Sequence, residues 1–269
     1  MRRPTGARPA AGRQRCARLP RPLGGWLWTM CGAAGSLCYS SFLFAPLMGS
    51  RLNPVNSFVS ELELVGQPAN AFFRATSIAA GLLITGFALG LARRVSATQA
   101  ARLGCLCLAA VGLASIADGL RPMVCDLSTD PTCGGRFSVA GVVAELRQPH
   151  TLSSVLGIVA AIGAMLLIGA HLRRHDPRSR LGPISQAAGS VLTLLAGLET
   201  PLAFGGHGAG LLQRVHVLVI AGWLAGLSWR CWTAGLIADG LARRARASGP
   251  RRAAPWSRRS LVADPPGPR

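Results

Sequence analysis

Six long apolar stretches constrain this chain more than any other feature of its sequence. They lie at residues 26–47, 71–91, 103–120, 151–170, 184–204 and 211–236. A helix that crosses a lipid bilayer needs about 20 mostly apolar residues, and each stretch meets or approaches this length. The sequence therefore predicts an all-α fold, a polytopic membrane bundle of six transmembrane helices that occupies residues 25–242.

The high positive charge of the chain could indicate a nucleic-acid partner or a membrane protein, and the positions of the charged residues distinguish the two. A net charge of +19 would suggest a nucleic-acid partner in a soluble protein. Only 14% of the residues are charged, however, and every basic residue is an arginine in a tail, a short loop or a helix end. We therefore predict contact with membrane lipid and no nucleic-acid partner, and protein partners stay unknown.

The distribution of arginine between the two sides of the predicted bundle is strongly unequal. One side, which includes both tails, carries 23 of the 29 arginines and three acidic residues, whereas the other carries six arginines and seven acidic residues. Because basic residues mark cytoplasmic loops, both termini are predicted to be cytoplasmic in a cell-membrane protein. The Arg/Pro-rich tails, residues 1–24 and 243–269, are predicted to be disordered.

Polar and ionisable side chains gather at the opposite, extracytoplasmic side of the predicted bundle. An ionised group at helix depth costs at least about 2.5 to 3.5 kcal/mol, so such residues require an explanation. Asp118 lies in the outer third of the third helix and belongs to this group. The candidate polar cluster that we predict consists of Ser57, Ser60, Glu61, Asp126, His150, Glu199, Arg214 and His216.

Two of these residues suggest an ion pair. A tight turn joins the fifth and sixth stretches, so the two helices are expected to be antiparallel neighbours. Glu199 lies near the end of one stretch and Arg214 near the start of the next. The apolar run between Arg214 and Arg230 is shorter than a full span, so one of the two lies within the margins of the bilayer, and if Arg214 is the deeper we predict an ion pair between Glu199 and Arg214.

The second outer loop contains two cysteines that bracket an acidic segment. Cys125 and Cys133 enclose Asp126 and Asp130 on the side of the membrane where oxidation occurs. This pattern predicts a disulfide bond that closes the loop.

The spacing of the residues gives little support to a metal site or to a catalytic nucleophile. His150, His207 and His216 with Asp126 and Glu199 have the side chains of a zinc site, but no H-E-x-x-H segment brings them together. Ser57 or Ser60 with a histidine would form a nucleophile pair, yet no G-x-S-x-G elbow surrounds either serine. His171 and His175 are four residues apart, which is the spacing of two metal ligands on one face of a helix. They lie beside arginines, whose charge disfavours a cation, so we interpret them as a solvated helix end.

The chain resembles a bacterial family of six-helix membrane proteins known as domain of unknown function 998. The resemblance extends from Leu27 to Arg230. It depends on Ser57-x-x-Ser60-Glu61-Leu62, the loop from Asp126 to Cys133, His150 at the start of the fourth helix, Gly210-Leu211-Leu212-Gln213-Arg214, and Trp223. It implies that these outer positions act together.

In plan the family is similar to Frag/DRAM/Sfk-type proteins, which are associated with lipid handling. Ceramidase-like transmembrane hydrolases, a more distant comparison, would imply a zinc centre of serine, aspartate and three histidines; this chain has no outer helix with paired histidines.

Two hypotheses for function follow. In the first, an outer polar cavity built from Glu61, Asp126, His150, Glu199 and Arg214 binds a lipid or another small amphiphile. In the second, the same residues serve a membrane hydrolase or lipid-modifying enzyme, in which His150 and His216 act as bases or zinc ligands. A transporter is disfavoured, because the sequence places no ionisable residue near the middle of the bilayer.

Overall fold

The computed structural model describes residues 24–95, 98–123, 143, 147–205 and 207–247. Within these residues the chain is all-helical and contains no strand. The α-helices are α1 (Gly24–Tyr39), α2 (Asn70–Ala92), α3 (Gln99–Leu120), α4 (Pro149–His175), α5 (Leu181–Gly205) and α6 (Ala209–Ala247). Two short 3₁₀ helices, Ser41–Phe44 and Val59–Glu63, lie in the connection between α1 and α2.

Five of the six α-helices are long and apolar enough to cross a membrane. The corresponding segments are Asn70–Ala92, Gln99–Leu120, Pro149–His175, Leu181–Glu199 and Ala209–Ala234. Large apolar side chains on their outer surfaces are exposed, for example Leu106, Leu194 and Trp229 with 64%, 69% and 68% of their surface accessible. Such surfaces are stable in contact with lipid chains rather than water. The chain is therefore a multi-pass membrane protein.

The first helix differs from the expectation of one continuous helix over residues 26–47. The α-helix ends at Tyr39, and a 3₁₀ turn at Ser41–Phe44 follows. The hydroxyl of Ser40 donates to the carbonyls of Ser36 and Leu37, a local side-chain bond of the kind that competes with continuation of a helix. At 16 residues, α1 is not among the five segments long enough to span by length alone.

The other helix boundaries have local causes. The hydroxyl oxygen of Thr98 accepts a hydrogen bond from the amide of Ala101 and caps the start of α3. Pro149 stands at the first turn of α4, where its missing amide hydrogen is not needed. Helix α6 continues to Ala247, past residue 243 where the tail was predicted to begin. Residues 1–23 and 248–269 lie outside the described residues.

The six helices form a closed ring in which each contacts its two neighbours, in the order α1, α2, α3, α4, α5, α6 and back to α1. Fully buried Ile84, Leu108, Met165 and Leu224 form the apolar centre of the ring. Ser36 donates a hydrogen bond to the carbonyl of Ala221 and so ties α1 to α6. This central layer separates the two ends of the bundle, and the candidate site lies at one of them.

Candidate functional site beside the α1–α2 loop

The loop between α1 and α2 is bound to the start of α6 through backbone groups. The amide of Leu211 donates to the carbonyl of Val55 at 2.9 Å, and the amide of Gly208 donates to Asn56 Oδ1 at 3.1 Å. The amide of Val59 donates to Gln213 Oε1 at 2.5 Å. The first two bonds satisfy amide groups at the start of α6 that have no partner inside the helix, and all three fix the loop over the bundle.

Arg214 holds this loop in place. Its Nη1 donates to the carbonyl oxygens of Pro54, Ser57 and Gly210 at 2.7, 2.6 and 3.0 Å. The carboxylate of Glu61 adds an attractive electrostatic interaction. Arg214, Ser57 and Glu61 therefore belong to a loop-binding contact beside the cavity described below.

Gly210 is required for this contact. A Cβ atom at this position would lie 2.2 Å from the carbonyl oxygen of Ser57, far inside van der Waals contact. Only a residue without a side chain lets the loop backbone approach α6 so closely. The Ser57 and Gly210 sequence segments, separated by about 150 residues in the chain, thus meet in one backbone contact.

Glu199 does not have the partner that the sequence suggested. Its Oε2 lies 2.6 Å from Nδ1 of His216, and the two side chains are 13% and 2% exposed. The predicted Glu199–Arg214 ion pair is therefore wrong, since Arg214 is engaged by backbone carbonyls. Both ring nitrogens of His216 are buried: Nδ1 makes this close electrostatic contact outside hydrogen-bond geometry, and Nε2 has no hydrogen-bond partner.

A second histidine and carboxylate pair joins α4 to α3. His150 Nδ1 lies 3.6 Å from Asp118 Oδ1, and His150 is buried. The hydroxyl groups of Ser153 and Ser154 also donate to the carboxylate of Asp118, Ser154 at 3.1 Å. Asp118 thus accepts hydrogen bonds from two hydroxyl groups of α4 and faces the imidazole of His150, and these contacts offset part of the cost of its burial.

Glu63 is the fourth acidic group of the site. It is buried at the end of the second 3₁₀ helix, and its Oε1 accepts a hydrogen bond from Ser77 at 2.5 Å. Burial raises the pKa of Glu63 to about 7, and the nearby charge of Asp118 acts in the same direction, against Ser77 and Arg74. Its second oxygen, Oε2, has no hydrogen-bond partner.

These groups face a shared cavity of about 110 Å³ at the end of the ring that carries the α1–α2 loop, named the outer cavity after the side predicted for it. Its lining is contributed by the α1–α2 loop and by α1, α2, α3, α4 and α6. The polar lining residues are Tyr39, Ser60, Glu63, Ser77, Ser115, Asp118, His150, Ser154, Gln213 and His216. The cavity presents two carboxyl groups and no arginine, so it offers mainly hydrogen-bond acceptors.

The structure distributes the predicted cluster over two places. Ser60, His150 and His216 line the cavity, and Glu199 lies behind His216. Ser57, Glu61 and Arg214 belong to the loop contact. Asp126 and the predicted Cys125–Cys133 disulfide lie outside the described residues, and the five described cysteines are free thiols.

The predicted cluster omitted Glu63, Asp118 and Gln213, which line the cavity. Asp118 had a signal in the sequence, an unexplained acid inside an apolar helix, and Gln213 stands in the segment that carries the family resemblance. Glu63 had no such signal, because loop carboxylates are usually solvated. Its burial follows from the packing of the loop onto the ring.

The described residues do not fit a zinc centre. They contain no group of three or more histidine, cysteine or acidic side chains arranged to hold a metal ion. His150 and His216 belong to separate pairs with Asp118 and Glu199, and His207 is exposed on the turn between α5 and α6. Structural and catalytic zinc sites need three or four converging ligands, and this part of the chain supplies two pairs.

At the other end of the bundle, His171 is not the solvated residue that the sequence suggested. It is buried, and its Nδ1 lies 2.9 Å from the hydroxyl oxygen of Thr98. Its ring stacks on that of His175, with the ring centres 4.4 Å apart.

Comparison with known proteins gives one result. No curated protein and no solved structure matches the chain. The model of one family, described as a protein of unknown function (DUF998), matches residues 32–230. This range contains α2 to α5, the second half of α1 and the start of α6, as well as every described residue of the cavity. The chain therefore belongs to the DUF998 family.

Proposed function

We propose that this protein has six membrane spans, with both ends in the cytoplasm, and that its outer cavity binds the polar head of a lipid or small amphiphile. The head is a hydrogen-bond donor, an amine or a hydroxyl. The observation that carries the proposal is the pair of unpartnered polar atoms on one cavity, Glu63 Oε2 and His216 Nε2, both of them acceptors when Glu63 is ionised and His216 is neutral. A buried polar atom without a partner costs about 1 to 3 kcal/mol, and a donor from a ligand would remove that cost.

The size and charge of the cavity support this ligand class. A space of about 110 Å³ holds several water-sized groups but no acyl chain, so the apolar part of the ligand would stay in the bilayer. The carboxyl groups of Glu63 and Asp118 favour an amine or a hydroxyl over a phosphate or a carboxylate.

The six-span part of the proposal depends on α1. Its 16 residues extend about 24 Å, and the 3₁₀ turn that follows adds about 8 Å. Together they reach roughly the 30 Å thickness of the hydrocarbon core. Helix α1 also packs between α2 and α6, both of which are long enough to span, so it would cross the same layer.

The orientation can be tested with reporter fusions. Green fluorescent protein at the C terminus is expected to fluoresce and alkaline phosphatase at the same place to be inactive. Alkaline phosphatase inserted after Gly66, in the α1–α2 loop, is expected to be active. The reverse pattern would overturn the orientation.

The ligand class can be tested with three probes of equal chain length: dodecylamine, dodecanol and dodecanoate. Binding to the purified protein, measured by native mass spectrometry, is expected for the amine and the alcohol and to be weakest for the carboxylate. Glu63→Gln and His216→Leu are expected to weaken amine binding, each by about tenfold. Arg51→Gln, an exposed change in the same loop, is the matched control. Equal binding of all three probes, or unchanged binding by both variants, would refute the proposal.

A membrane hydrolase is the second candidate function. It is favoured by one observation: Glu199 at Nδ1 of His216 is the arrangement that orients a histidine base, with Nε2 directed elsewhere. The nucleophile is less well supported, because the hydroxyl of Ser60 donates to the sulfur of Met123 at 3.0 Å rather than to a histidine. Hydrolysis of an ester amphiphile that is lost in His216→Gln and kept in Glu63→Gln would support the enzyme instead.

A further inference from the structure

A second cavity lies at the opposite, arginine-rich end of the bundle. It encloses about 200 Å³ among α2, α3, α4 and α6 and the segments that follow α2 and α4. Its walls are almost entirely apolar and include Leu91, Ala101, Cys105, Ile168, Leu172 and Leu227. The buried layer of Ile84, Leu108, Met165 and Leu224 separates it from the outer cavity.

The rim of this cavity carries a polar pair. Arg230 Nη2 donates to Asp176 Oδ2 at 2.6 Å, and the two side chains are 39% and 34% exposed. Both residues line the cavity, together with His171. The guanidinium groups of Arg94 and Arg230 both act electrostatically on the thiol of Cys231 in the cavity wall. The mouth of the cavity is therefore positively charged.

The surroundings of the rim increase this charge. Among the described side chains at this end, Asp176 is the acidic one, and seven further arginines are exposed: Arg93, Arg94, Arg102, Arg173, Arg174, Arg178 and Arg180. A field of this sign attracts anions and raises their local concentration. The planar fork of donors on arginine also binds two oxygens of a carboxylate or a phosphate at once, which the single ammonium of lysine does less well.

We propose that this cavity binds an anionic amphiphile, with its apolar chain against Leu91, Ile168 and Leu227 and its anionic head on Arg230. An apolar cavity of about 150 Å³ stays dry and accepts apolar molecules, so a larger one with the same lining suits a segment of an alkyl chain. The head takes the place of Asp176 at the guanidinium group. This site is independent of the outer cavity, and the charge of its ligand is opposite to the one proposed there.

Two substitutions at the rim give the decisive test. Arg230→Gln removes the cation that holds the head and is expected to weaken binding of dodecyl phosphate at least about tenfold. Asp176→Asn removes the competing carboxylate and is expected to tighten binding, by up to about fivefold for a half-exposed pair. Both changes break the same ion pair. If that pair had a purely structural role, both variants would change the affinity for dodecyl phosphate in the same direction. Native mass spectrometry of the full-length protein in detergent measures the affinity.

Two controls complete the design. Arg178→Gln removes an exposed arginine from the same end and is expected to change the affinity less than about twofold. Ala234→Phe adds a ring at the exposed mouth of the cavity and is expected to abolish binding, whereas Thr233→Phe, one residue away and outside the cavity lining, leaves it.

Two probes distinguish the source of the ligand. Phosphatidylglycerol that stays bound through detergent exchange would identify a bilayer lipid, and binding of dodecyl phosphate alone would identify a soluble anionic amphiphile; either outcome supports the site. Weaker binding in both Arg230→Gln and Asp176→Asn, or equal binding of dodecyl phosphate and the uncharged dodecyl maltoside, would overturn it.

Discussion

The imidazole of His216 on α6 and the carboxylate of Glu199 on α5 lie 2.6 Å apart in the interior of the bundle. The pair joins the two helices next to the turn that connects them, and it leaves Nε2 of His216 in the outer cavity. Loss of this pair would therefore affect both the packing of α5 on α6 and the polar lining of the cavity.

Removal of the Glu199 carboxylate is expected to destabilise the protein by about 1 to 3 kcal/mol, because His216 then lacks its buried partner. The effects of Glu199→Gln and His216→Gln should not be additive, since each change removes the same contact. Thermal unfolding in detergent of the single and double variants measures this coupling. Arg214→Gln is the comparison, and coupling of Glu199 to Arg214 instead of His216 would contradict the structure.

Gly210→Ala is expected to destabilise the contact between the α1–α2 loop and α6. The added Cβ would lie 2.2 Å from the Ser57 carbonyl oxygen, and overpacking of this kind costs about 1 to 3 kcal/mol. Gly222→Ala in the same helix is the control, since a Cβ there meets nothing within 4 Å. That variant should gain up to about 1 kcal/mol from helix propensity, and equal melting temperatures for the two variants would refute the contact.

Arg214→Lys is expected to loosen the same loop although the charge is kept. A lysine presents a single ammonium on a flexible stem and cannot reproduce the donation of one guanidinium to three carbonyls. We expect a loss of about 1 to 3 kcal/mol and faster protease cleavage between Asn53 and Val59. Arg51→Lys, at an exposed position in the loop, should leave the cleavage rate unchanged. Similar rates for both variants would show that Arg214 does not hold the loop.

The carboxyl group of Glu63 is expected to make stability depend on pH. Burial raises its pKa from 4.5 to about 7, so the folded state favours the protonated form. The stabilisation is complete below pH 4.5 and is lost as pH rises to about 7; the shift corresponds to roughly 3 kcal/mol. Glu63→Gln keeps an acceptor for Ser77 and removes the titration. Melting temperatures of wild type and variant are measured from pH 4 to 8. As pH rises, the melting temperature of the wild type should fall relative to that of the variant. A difference that is constant with pH would contradict the raised pKa.

Several elements of the fold follow from local sequence. An apolar segment in lipid must satisfy its own backbone hydrogen bonds, so the length and composition of the stretches predict α2 to α6 as helices. Thr98 and Pro149 mark the starts of α3 and α4 by local capping rules. The break after Tyr39 also had a local signal in Ser40, whose hydroxyl bonds back to the carbonyls of the last helical turn.

The contacts of the site depend on the tertiary structure, because they are set by the rotation of each helix about its own axis. The short turn made α5 and α6 neighbours in the prediction, but Arg214 and His216 are about 200° apart around α6, and only one can face Glu199. Glu61 and Glu63 differ in the same way, since one interacts with Arg214 and the other lines the cavity. The sequence alone determined that a helical membrane protein carries polar groups at one end. Packing of the loop and the rotation of the helices decided which of these groups meet, because each contact needs residues from distant parts of the chain in one orientation.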